Sequence, residues 1–129
     1  VADFHGKTAL HYAAMRGSTI SCRYLLKKHA ETGLEDKYQN TPLALAFLCK
    51  HQNVAFMLIE SGASVNSKAY CDRKDPSTSH FNAPNREDNP NPKIYSLFFL
   101  AVKYGWQGVC YLLLEYGFDF RSALEDAMT

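Results

Sequence analysis

Asp36-Lys37-Tyr38-Gln39-Asn40-Thr41-Pro42-Leu43-Ala44-Leu45-Ala46-Phe47 restates Asp3-Phe4-His5-Gly6-Lys7-Thr8-Ala9-Leu10-His11-Tyr12-Ala13-Ala14 at a distance of 33 residues. The same interval separates Leu25 from Leu58. A third statement, Ser96-Leu97-Phe98-Phe99-Leu100-Ala101-Val102 and then Leu112-Leu113-Leu114-Glu115-Tyr116-Gly117, follows the second by 55 residues, which leaves about 22 extra residues between them. A fixed period of this length signals units that cannot bury their apolar faces singly and stack to do so. Such stacks offer an extended surface more readily than a reaction pocket.

Each copy reads as two short helices. In the first, Thr8 can cap a helix by accepting from an open N–H of the first turn, Leu10, Ala13 and Ala14 form one apolar stripe, and Gly17 ends it in the left-handed conformation that glycine tolerates. A second helix over Thr19 to Lys28 has Ile20, Cys22, Tyr24, Leu25 and Leu26 as its apolar side. In the second copy Thr41 caps, Pro42 takes the first helical position, and Leu43, Ala46 and Phe47 repeat the stripe. Lys50 stands in the place of Gly17, which predicts a strained or altered turn there. Val54, Met57, Leu58 and Ile59 form the next helix, closed by Gly62. In the third copy Ser96 caps, Gly105 turns, Val109, Cys110, Leu112, Leu113 and Leu114 line the second helix, and Gly117 ends it. Ser122-Ala123-Leu124-Glu125-Asp126-Ala127-Met128 follows the cap, small and apolar pattern of Thr8 to Ala14, as the opening of a fourth copy or a capping helix does.

Between the second and third copies, Lys68 to Lys93 contains Pro76, Pro84, Pro90 and Pro92 among Asn82, Asn85, Asn89 and Asn91. Proline breaks helices and central strands, and polar composition leaves little apolar area to bury. An extended, exposed loop is expected, of the length at which loops are functional or mobile. Ser77, Thr78 and Ser79 beside Asp75 and Pro76 are phosphorylation candidates, since added charge orders a loop against basic residues; an inert solvated loop fits equally.

The chain has 129 residues, 47% of them hydrophobic, which suits one globular unit. With 14 basic and 13 acidic side chains it lacks the basic surplus that nucleic-acid backbones demand. No apolar run approaches the length of a membrane span, so no membrane insertion is expected. No charged-then-apolar leader opens the chain, so a secretory route is not indicated; a first residue of Val1 reads as an excised or expressed boundary. Cys22, Cys49, Cys71 and Cys110 show no CxxC spacing. Cys22 and Cys110 hold equivalent places on expected buried faces, as reduced thiols do in an intracellular protein, cytoplasmic or nuclear.

Asp3-x-x-Gly6-x-Thr8-Ala9-Leu10-His11-x-Ala13-Ala14-x-x-Gly17 resembles the ankyrin repeat. So do Thr41-Pro42-Leu43-x-Leu45-Ala46 and Glu60-Ser61-Gly62-Ala63-Ser64-Val65-Asn66. The resemblance implies an all-α repeat fold, an ankyrin-type stack of helix-turn-helix units with hairpin-like fingers along one edge and a long irregular insertion between the second and third repeats. It divides a single domain, 1–129, into repeat 1 at about 3–35, repeat 2 at about 36–68, the insertion at about 69–94, repeat 3 at about 95–120 and a partial repeat or capping helix at about 121–129. Three departures stand out: Gln39 replaces a finger glycine, the motif histidine survives only as His11, and the insertion replaces the third finger. The last implies an interrupted or extended binding surface.

The resemblance also implies a non-enzymatic role in binding another protein or peptide, within a larger protein. Partners of the family contact finger tips and the exposed face of first helices. Transferred position by position, the candidates are Phe4, His5, Lys7, Tyr12 and Arg16, then Lys37, Tyr38 and Asn40, then Lys103 and Tyr104, with Trp106 added because it replaces a polar loop residue of the pattern. Aromatic and arginine side chains carry most binding energy at interfaces. The alternative is that Tyr12 and Tyr104 pack locally and that Phe4 touches a neighbouring repeat. A scaffold segment of a longer array, with no direct partner, is the competing role. Asn66 occupies a place where the family can be hydroxylated by an asparaginyl hydroxylase; a turn residue bonding its own backbone is the alternative. In the family, His11 with Thr8 is structural, hydrogen-bonding neighbouring turns, and no nucleophile with an orienting acid accompanies it. Cys49 with His51, and Cys71 with His80, supply two ligands each where zinc takes about four. No cofactor, metal or catalytic residue is expected.

Overall fold

The computed structural model describes residues 5–71 and 93–118; Phe4, most of the expected insertion and the expected partial repeat lie outside the described residues. Helices α1 (Ala9–Arg16), α2 (Thr19–Lys27), α3 (Pro42–Leu48) and α4 (Gln52–Glu60) precede strands β1 (Lys68–Cys71) and β2 (Lys93–Ser96), and α5 (Leu97–Tyr104) and α6 (Gln107–Glu115) follow. The result is an all-α repeat fold with one short ladder added. First helices pack side by side, α1 on α3 and α3 on α5. Second helices form a row behind them, α2 on α4 and α4 on α6.

Local chemistry starts each unit as the spacing predicts. The hydroxyls of Thr8, Thr41 and Ser96 accept from the backbone N–H three residues on, in His11, Ala44 and Phe99. Gly17 and Gly105 end their helices in the left-handed region, at φ 70° and 74°. Lys50 adopts the same conformation at φ 62°, and Gln39, in the place of Gly6, takes φ 70°. Non-glycine residues are therefore held where a Cβ is disfavoured.

The core runs through all three units and includes Leu10, Cys22, Leu43, Leu58, Leu97, Leu100 and Leu113, with Leu25 half-buried against it. Three expectations need correcting. Ile20 and Tyr24 are 79% and 60% exposed, because among second helices of the described residues α2 packs chiefly on α4 alone. Leu114 is exposed and Cys110 half-buried, because α6 is likewise flanked by α4 alone among second helices of the described residues. All seven residues of α3 are buried, because α1, α4, α5 and β1 all pack on it.

The ends of the segment expected as an irregular loop are strands. β1 and β2 pair antiparallel, Lys68 with Ser96, Ala69 with Tyr95, Tyr70 with Ile94 and Cys71 with Lys93. Ala69 and Cys71 are buried, and the strands pack on the first helices, β1 on α3 and β2 on α5. Among the described residues no helix is long and apolar enough to cross a membrane.

Candidate functional site

The finger edge is built around Asp36. Its carboxylate accepts from the backbone N–H groups of Tyr38 and Asn40, each at 2.9 Å, and pairs with the Lys7 ammonium at 2.7 Å. This folds residues 36–40 into a closed turn and ties it to the finger before it. The Lys37 N–H donates to the His5 carbonyl at 2.8 Å. Gly6 is required at this crossing: a Cβ there would lie 2.8 Å from the Lys37 nitrogen. Lys7 and Asp36 are both buried, so the pair acts as an internal rivet.

His11 fastens the helical layer beneath. Its Nδ1 accepts from the Thr8 N–H at 3.0 Å, which leaves Nε2–H to donate to the Asn40 carbonyl of the next turn at 2.9 Å. Burial lowers its pKa from 6.5, against smaller opposing effects of the Asn40 carbonyl and Asp36. The imidazole is thus a neutral structural bridge with both nitrogens engaged.

Two of the predicted contact residues are turned inward. Lys7 is spent on Asp36 and also sits 5.0 Å from the Tyr38 ring centroid. Asn40 is fully buried: its amide donates to the Tyr70 carbonyl and its oxygen accepts from the Tyr70 N–H, both at 2.8 Å. A side-chain amide thereby closes the outer edge of β1. Neither residue can meet a partner, since each would abandon buried bonds to do so.

His5 and Tyr38, both half-buried, come together on the same finger pair, rings 6.2 Å apart and stacked. Lys37 is exposed beside them. Tyr12 and Arg16, one helical turn apart, are exposed on α1. The equivalents of Tyr12 in the next two units are Leu45 and Leu100, and exposure falls from 36% to 0% at both. The hairpin of β1 and β2 packs chiefly on α3 and α5. Among the described residues the Tyr12 place is thus exposed in the first unit and sealed in the next two.

Lys103, Tyr104 and Trp106 form a different region. Trp106 is half-buried and lies 5.6 Å from the Phe47 ring and 4.8 Å from Tyr104. His51, in the equivalent place, also reaches back one unit, to the Met15 carbonyl at 2.8 Å. Trp106 is thus an inter-unit contact. Tyr104 carries the Lys50 ammonium 5.5 Å from its ring centroid. Its hydroxyl is buried without a hydrogen-bond partner among the described residues. Burial, reinforced by the neighbouring Cys71 and Cys49 thiols and Tyr95, holds that hydroxyl protonated well above its ordinary range. Lys103 is exposed. Asn66 is exposed and donates a long bond, 3.4 Å, to the Gly117 carbonyl of the third unit.

Reading the sequence by position missed Asp36 as the hub, although its place repeats Asp3. It also missed Tyr70, whose role depends on backbone direction and carries no residue-type signal.

None of the four cysteines is in a disulfide, and burial raises the pKa of Cys22 and Cys110. A family model for ankyrin repeats, in three copies, matches residues 1–69. The poly [ADP-ribose] polymerase tankyrase of Caenorhabditis elegans is 40% identical over 78 residues, which is 60% of this chain and 3% of that protein. The chain thus spans about 3% of the length of the curated relative it matches, and the similarity carries no catalytic role. Period, caps, buried bridges and the family match over more than half its length agree: the chain belongs to the ankyrin repeat family.

Proposed function

We propose that this chain is a protein-recognition module whose partner, a protein or peptide, docks on His5, Tyr38, Lys37, Tyr12 and Arg16. Ankyrin repeats are in general protein-interaction modules without catalysis, and this reading locates the surface. One observation carries it: exposure at the Tyr12 place is lost at Leu45 and Leu100, so among the described residues this place stays exposed on the first helix of the first unit alone. The fingers beside it are held by Asp36 and by the Lys37 to His5 backbone bond, so aromatic and basic groups are presented at little entropic cost. Lys103 and the half-buried Tyr104 lie on a subsidiary region. The domain spans 1–129 with the repeat divisions given above, the 69–94 insertion adds partner-specific contacts, and the module works inside a larger intracellular protein.

The test is affinity capture with quantitative mass spectrometry, comparing wild type with Tyr12→Ala/Arg16→Glu. Loss of a defined partner by the double variant, with unchanged melting, supports the reading. Retention of every partner refutes it.

A scaffold segment with no direct partner is the second reading, and one observation favours it. Phe99 and Val102 are 48% and 58% exposed where their equivalents Ala44 and Phe47 are fully buried by the next unit. A stable complex that leaves the finger edge uncovered would select this reading. Hydroxylation of Asn66 is compatible with its exposure, and peptide mass spectrometry without one added oxygen at Asn66 dismisses it.

A further inference from the structure

The two edges of the short ladder are not alike. In an antiparallel pair, successive residues of a strand turn their N–H and C=O alternately toward the partner strand and away from it. Both backbone groups of Tyr70 are bonded to the Asn40 side chain, so they face away from β2. Its register partner Ile94 must then turn its own N–H and C=O away from β1. Ala69 with Tyr95, and Cys71 with Lys93, are left as the hydrogen-bonded pairs. The sheet has two strands, so among the described residues no strand lies beyond β2.

We propose that the outer edge of β2 at Ile94 receives an extended peptide as a third strand. This deepens the recognition reading above and rests on it. The molecule already shows what such an edge accepts: at Tyr70 the identical pair of groups is filled by an amide, donor to carbonyl and oxygen to N–H. At Ile94 the matching ligand is a backbone amide at strand spacing, which selects an extended chain over a helix, whose amides are already paired. The surroundings favour apolar alternation in that peptide. Ile94 is 54% exposed, on the face opposite the buried Ala69 and Cys71. On the other face Tyr95 stacks on the half-exposed Phe99, rings 5.7 Å apart and 13° from parallel. Unprotected edges are pairing templates, and four residues is short enough to make this one selective for a brief segment and a poor site for aggregation.

The experiment uses the full chain, 15N-labelled, and an acetylated, amidated pentapeptide of alternating threonine and valine. The Ile94 amide is expected to exchange rapidly in the free chain. Added peptide should shift the Ile94 and Ser96 signals and slow Ile94 exchange. An analogue N-methylated at alternate amides should lose at least about tenfold in affinity, the effect of one or two backbone hydrogen bonds. Ile94→Pro removes only an outward N–H, which an edge strand tolerates. It should lose a similar factor while the Ala69 and Tyr95 signals stay in place. Protection of Ile94 in the free chain would mean the edge is filled from within, by the chain's own 72–92 segment, and would overturn the proposal. Equal binding by Ile94→Pro, or no shift at Ile94, would do the same. Tyr12→Ala/Arg16→Glu leaves this assay untouched, so failure here and failure of the finger-face reading are separable.

Discussion

A handful of backbone and side-chain positions set the tolerance of this chain to change. Gly6 combines φ 73° with a Cβ approach of 2.8 Å to the Lys37 nitrogen, a backbone atom that cannot swing aside. Gly6→Ala is expected to cost about 2 kcal/mol or more in urea unfolding. Gln39 has φ 70° and is exposed. Gln39→Gly should stabilise by about 0.5 kcal/mol, the left-handed strain relieved less the added freedom of the unfolded chain. His11 sets a pH dependence. Its folded pKa lies below 6.5, so its contribution is complete above 6.5. As the pH falls through 6.5 the unfolded chain takes up the proton first, and stability declines until the folded imidazole also protonates. Urea midpoints of wild type should drop between pH 7 and 5 more steeply than those of His11→Gln. Thr8 was legible as a cap and His11 as a structural hydrogen-bonding residue; the neutral state was not, because it follows from burial under the next unit's turn.

At the level of elements, the fingers and the hairpin are held by a few buried polar bonds. Lys7→Met removes the cation from Asp36, a pair buried on both sides. The expected loss is about 3 kcal/mol in chemical denaturation. Asn40→Ala strips both bonds from Tyr70 and should cost about 2 kcal/mol. It should also raise amide exchange across β1 and β2 while leaving α1 and α2 protected. The helices were readable from Thr8, Thr41 and Ser96 with their apolar stripes. The strands were not: Lys-Ala-Tyr-Cys and Lys-Ile-Tyr-Ser are four residues each and flank a proline-rich stretch. Their pairing depends on long-range register, which local composition does not encode.

Across the whole molecule, stability is a sum of units and of the contacts between neighbours. Trp106 is the single tryptophan and sits at the contact between the second and third units, against Phe47. Its fluorescence therefore reports that interface. If the stack is cooperative, fluorescence and far-ultraviolet circular dichroism should give coincident unfolding curves. Trp106→Ala, half-buried in wild type, should cost about 2 kcal/mol. In that variant dichroism is expected to split into two transitions as the third unit uncouples.

Periodicity alone was enough to establish the stack. Helical stripes that recur after 33 residues and again after 55 are satisfied by neighbours of the same kind, and Thr8, Thr41 and Ser96 mark where each begins. Which face stays open was beyond it. Tyr12 and Leu45 occupy the same place in the motif, yet one is exposed and the other sealed. A strand pair closes between residues 68–71 and 93–96 and packs on α3, which carries Leu45, and the Asn40 amide pins it. Burial at a position depends on what the rest of the chain lays over it, and that is a property of contacts between residues distant in sequence.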